Sequence, residues 1–133
     1  MAENAVVKEQ LTETMIRLGG ELTEKLDNTG LPVVAAMWFF EPEINEWRLF
    51  FASPEVSALG PRSVYKKIQE ALEALGGAAA IPLSMIGVLD AEDDLVRLIK
   101  AAVQTGPSIS RIRFSKNVIN GHFIDDALIY RAA

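Results

Sequence analysis

With 133 residues, half of them hydrophobic and 23% charged, the chain has the size and balance of one globular domain rather than a disordered or fibrous one. It has no cysteine and a single histidine, which excludes disulfides, thiolate nucleophiles and any zinc site built from thiolates and imidazoles. A net charge of −5 excludes the overall basic field of a nucleic-acid binder, so nucleic acid is not an expected partner.

One domain covering 1–133 is expected, with a frayed start at 1–6. The first residues lack a basic segment followed by an apolar one, so no secretory signal is expected. The uncharged run from Gly76 to Leu89 contains Gly76, Gly77 and Pro82 and is shorter than the ~20 residues that span a bilayer. No membrane attachment is expected, and the lack of cysteine fits a reducing, cytoplasmic compartment.

From Val7 to Leu26 the spacing predicts an amphipathic helix with Leu11, Met15, Leu18, Leu22 and Leu26 in one stripe. Gly19 and Gly20 interrupt it, each costing ~1 kcal/mol relative to alanine, so either the helix kinks or another segment packs closely there. Gly30 is placed to end it. Leu31 to Phe40 is an unbroken apolar run. Its aromatic and β-branched content predicts a central strand buried on both faces. A turn over 41–46 leads to its hairpin partner, Trp47 to Ala52.

Residues 53–60 read as a loop. Pro61 suits the first turn of a second helix, with Val64, Ile68, Ala71, Leu72 and Leu75 inward and Gly76-Gly77 stopping it. Leu83 to Leu89 is a short third strand. Asp90 is placed to cap a third helix that turns Leu95, Ile99, Ala102 and Val103 inward. Two final strands flank Asn120-Gly121, a dipeptide favoured in two-residue hairpin turns. That turn pairs Val118 with Phe123, Lys116 with Asp125, Phe114 with Ala127 and Ile112 with Ile129.

The order α-β-β-α-β-α-β-β predicts a single mixed α/β (α+β) domain, with three helices and about five strands in a mixed sheet. If both crossover helices lie on one face, the first helix or a second subunit must cover the other. That is the ground for expecting a homodimer or other homo-oligomer.

Few side-chain groupings point to chemistry. Asp90, Glu92, Asp93 and Asp94 are candidates for holding Mg²⁺, with Asp90, Asp93 and Asp94 the chosen metal ligands. Acids in a helix's first turn also serve as caps, which the helix needs regardless. Ser115, His122 and Asp126 permit a hydrolase-like triad on paper. The register separates Ser115 from His122 by about 10 Å, too far for a nucleophile and its base. Asp125 and Asp126 should point to opposite faces. Arg111, Arg113 and Lys116 lie in a stretch from Leu95 to Ile124 that has no acid, and they are the candidate anion site. Trp38, Phe40, Trp47 and Phe50 crowd the first hairpin and are the candidate interface. Gly76 and Gly77 follow a helix instead of preceding one, so they are not a phosphate loop, and no cofactor is expected.

These features favour a non-enzymatic binding module that self-associates through its sheet or aromatic surface. The alternative is a small Mg²⁺-dependent or phosphate-handling enzyme using the acids at 90–94.

Overall fold

Thr12 accepts a hydrogen bond from the Met15 N–H at 3.1 Å and so starts the first helix, α1 (Glu13–Asn28), six residues later than the apolar periodicity suggests. The computed structural model describes residues 7–76 and 81–133; the expected frayed start at 1–6 and the stop at Gly77 lie outside them. Residues 7–12 lie outside the helix and are tied to the first β-turn and the start of β2. Asn45 accepts from the Glu9 N–H and donates to the Val7 carbonyl, both at 3.0 Å, and Trp47 Nε1 donates to the Glu9 carbonyl at 2.9 Å.

The chain then forms β1 (Ala35–Glu41), β2 (Glu46–Ser53), the short α2 (Glu55–Leu59), α3 (Pro61–Leu75), β3 (Ile86–Asp90), α4 (Asp94–Ala102), β4 (Ile112–Ile119) and β5 (His122–Ala132). The region expected as a loop at 53–60 thus contains a helical turn, α2. Glu55 ties it to α3 through Lys67 and Ser63, each at 2.8 Å. Leu83–Met85 is a 3₁₀ turn, which delays β3 to Ile86.

The five strands make one mixed sheet in the order β3-β2-β1-β5-β4, in which β2 and β3 are parallel and the other pairs antiparallel. β1 is central, and Ala35 through Trp38 are buried from both sides, as the apolar run requires. One face carries Trp38, Leu49, Phe51 and Tyr130 and packs under α1 and α3. The other carries Met37, Ala127 and Ile129 and packs under Ile99 of α4. The crossover helices α3 and α4 therefore lie on opposite faces. The sheet has cover on both sides within one chain, and the premise that a second subunit must supply it does not hold. In α4 the inward positions are Val96 and Ile99, with Leu95, Leu98 and Val103 partly buried; Ala102, expected inside, is exposed.

The last hairpin has the expected register: Ile112 faces Ile129, Phe114 faces Ala127 and Val118 faces Phe123. Its turn residues Asn120 and Gly121 both have positive φ (48° and 81°), the conformation a two-residue hairpin turn demands. Lys116 also has positive φ (47°) and drops out of the ladder. Beyond it, Ile119 and Ile124 join the apolar cluster around α4.

A bulge in β5 breaks the alternation. Ala36 pairs with Arg131 while Met37 pairs with Ile129, which leaves Tyr130 as the extra residue. Tyr130 and Arg131 consequently both reach the α1 side. The Tyr130 hydroxyl donates to the Ile16 carbonyl at 2.5 Å and accepts from Trp38 Nε1 at 3.0 Å. Arg131 grips Asp27 with two bonds of 2.8 and 2.7 Å. Burial pushes the Tyr130 phenol well above its usual range.

Candidate functional site

The densest polar constellation lies where Lys8 meets the paired strands β4 and β5. Asp126 sits at its centre, its side chain only 7% exposed. Arg113 donates to it through Nε at 2.6 Å and Nη2 at 2.8 Å, Ser115 Oγ donates at 3.0 Å and Lys8 Nζ at 2.9 Å. Burial alone would raise the Asp126 pKa. The bonds from Arg113, Lys8 and Ser115 outweigh it and hold the carboxyl at about 2. Lys8 also lies 4.5 Å above the Phe40 ring, and Arg113 lies 5.5 Å from Trp47. Burial lowers the Lys8 pKa, but its bonds to Asp125 and Asp126 leave it raised overall.

This cluster is internally satisfied, and of the expected anion-site residues it takes up Arg113 alone. Arg113 is committed to Asp126. Arg111 meets Glu13 at 3.1 Å on the surface, and Lys116 is exposed. The three do not converge into an anion site. Asp125, expected to pair with Lys116, pairs with Lys8 at 2.9 Å, because Lys116 has positive φ and leaves the ladder where the two would meet. One ammonium therefore bridges Asp125 and Asp126, although neighbours on a strand should diverge. Ser115 bonds to Asp126, but His122 is paired by register with Ile119 and stays remote from Ser115.

The acids at 90–94 bind the chain's own backbone. Asp93, not Asp90, caps α4, accepting from the Leu95 N–H at 2.9 Å. Asp90 ends β3, where it accepts from Ser57 Oγ at 2.6 Å and from the Glu92 N–H at 3.0 Å; these bonds lower its pKa. Asp94 is exposed in the first turn of α4. Among the described residues no three carboxylate or imidazole groups gather where a metal ion could sit. Replacing Asp93 with alanine is expected to cost about 1 kcal/mol in urea unfolding, against little change for Asp94→Ala. Equal losses in the two variants would remove the capping role from Asp93.

The candidate aromatic interface resolves differently. Trp38, Phe40 and Trp47 are buried at 0%, 4% and 2% exposure beneath α1 and residues 7–12. They are core, because the N-terminal segment supplies the cover that the sheet pattern seemed to lack. Phe50 is half-buried on the α4 face, its ring lying against Gly87. The large apolar side chains left open are elsewhere. Val118 and Phe123, paired across the last hairpin, are each 60% exposed. Their alternation was visible in sequence, but the bend at Lys116 that turns Ile119 and Ile124 inward and leaves this pair outside was not.

A cleft of about 600 Å³ opens beside the start of β2. It is lined by Met15, Ile44, Trp47, Arg48, Pro82 and Met85, with Glu9 and Glu46 also on its wall. Comparison with protein-family models, curated proteins and solved structures finds no match for this chain. Among the described residues no helix is long and apolar enough to cross a membrane.

Proposed function

We infer that the domain is a non-catalytic protein-binding module that self-associates through the outer face of the β4–β5 hairpin. The observation that carries this reading is the Val118–Phe123 pair, two large apolar side chains side by side and mostly in water. The opposite side of the same ribbon is anchored, since Ile119 and Ile124 pack with Leu95, Leu98 and Ile99. The pair is thus presented on a rigid support, which lowers the ordering cost of association. Asn117, Asn120 and His122, all exposed, supply a polar rim.

A two-fold contact would set Phe123 of each copy against Val118 of the other, the self-complementary arrangement that homodimers favour. Direct pairing of β4 edges is disfavoured by Lys116, whose charge and left-handed backbone both interrupt the edge. Light scattering on a sizing column is the test. The wild-type chain should elute as a dimer that dissociates on dilution, and Phe123→Asp should be monomeric while keeping its thermal unfolding transition. A wild-type chain that stays monomeric up to submillimolar concentration would sink self-association.

A further inference from the structure

The segment before α1 is seated on the body as a peptide ligand would be. Residues 7–12 belong to no helix or strand, yet Lys8 and its neighbours are met by groups from two distant stretches of the chain, 40–47 and 125–126. The Lys8 ammonium bonds to Asp125 Oδ1 and Asp126 Oδ2, both at 2.9 Å. It lies 4.5 Å from the centre of the Phe40 ring and 5.7 Å from that of Trp47, two rings that themselves form a tilted pair. On either side of Lys8 the Asn45 side chain reads the main chain. Its Nδ2 donates to the Val7 carbonyl and its Oδ1 accepts from the Glu9 N–H, both at 3.0 Å, while Trp47 Nε1 donates to the Glu9 carbonyl at 2.9 Å. The Val7 side chain is 83% exposed, and Glu9 is exposed as well. The lysine is therefore read by its side chain and its two neighbours by their backbone alone.

We propose that this surface is a recognition site for an exposed, lysine-containing segment of a basic partner protein, and that residues 7–9 occupy it in cis until such a segment displaces them. Lifting residues 7–9 with nothing in their place is unfavourable. It leaves Asp125 without an ionic partner among the described residues, leaves Asp126 with Arg113 and Ser115 alone, and uncovers Phe40 and Trp47. A lysine arriving from outside restores every one of these contacts, and the net charge of −5 draws a basic partner. The cis segment is tethered to α1 only a few residues on, so it competes at an effective concentration of about millimolar and keeps weak lysine ligands out. None of these contacts involves Val118 or Phe123, so a failure of self-association leaves the site standing.

The probe is the end-blocked peptide Ala-Val-Val-Lys-Glu-Gln, the chain's own residues 5–10, titrated calorimetrically into the full chain. Lys8→Gln weakens the cis occupant, so this variant should bind the peptide saturably and at least about tenfold more tightly than the wild type does. The same peptide with glutamine in place of its lysine should bind Lys8→Gln at least about tenfold more weakly, and adding Asp125→Asn to Lys8→Gln should weaken the lysine peptide by a similar factor. If Lys8→Gln fails to fold, the isotope-labelled wild-type chain decides the matter: millimolar unlabelled peptide should move the Val7, Lys8 and Glu9 amide signals toward those of an unstructured chain. No saturable binding to Lys8→Gln, equal binding of the glutamine peptide, or wild-type amide signals unmoved by millimolar peptide would each overturn the proposal.

Discussion

Asp126→Asn is expected to lose about 2 kcal/mol of stability at neutral pH and to flatten the acid limb of the stability curve. The wild-type carboxyl is held at about 2 against an ordinary value of 3.8. The group therefore contributes its full stabilisation above about pH 4 and loses it as the pH falls toward 2. Asparagine removes the charge that answers Arg113 and Lys8, both of which still face a nearly buried position. The loss should shrink in high salt, because Lys8 and Arg113 are 40% and 44% exposed. Asp125→Asn is the control; it gives up one contact, to Lys8, and should cost less. Urea midpoints measured from neutral pH down to pH 2 check the sign and the window. An Asp126→Asn variant with the wild-type acid limb would place the titrating group elsewhere.

Two adjacent glycines should respond to the same substitution in opposite directions. In α1 a Cβ on Gly19 would fall against the Tyr130 hydroxyl and 2.7 Å from Trp38 Nε1, whereas one on Gly20 would meet Tyr130 Cε1 at an ordinary 3.6 Å. Alanine gains ~1 kcal/mol of helix propensity at either site. At Gly19 the crowding disrupts the Trp38–Tyr130–Ile16 hydrogen-bond chain as well as the packing, so a net loss of about 2 kcal/mol is expected. Gly20→Ala should be neutral to stabilising by about 0.5–1 kcal/mol. Chemical unfolding of the two variants decides it, and a stabilising Gly19→Ala would show that Tyr130 is not seated against the helix.

Much of the architecture was legible because it depends on local patterns. The apolar run of β1 dictated a central strand, Pro61 marked the start of α3, and Asn120-Gly121 set both turn and register of the last hairpin. The N-terminal boundary of α1 was not legible. Periodicity continues back to Val7, but Asn45 and Trp47, distant in sequence, bind the Val7 and Glu9 backbone outside the helix. The burial of Trp38, Phe40 and Trp47 follows from the same crossing. The bulge at Tyr130 left no signal in the alternation, so the pairing of Arg131 with Asp27 was hidden. Asp126 was noticed as half of a carboxylate pair, but its partners depend on Lys8, at the opposite end of the chain.

The seam between β1 and β5 also bears on the order of assembly. β1 with β2, and β4 with β5, are hairpins that close through short turns, whereas joining them brings Met37 to Ile129, far apart in sequence. Local hairpins close faster than long-range pairings, so the β1–β5 seam is expected to form after them, with the tryptophan–tyrosine contact beneath α1 as the reporter of its completion.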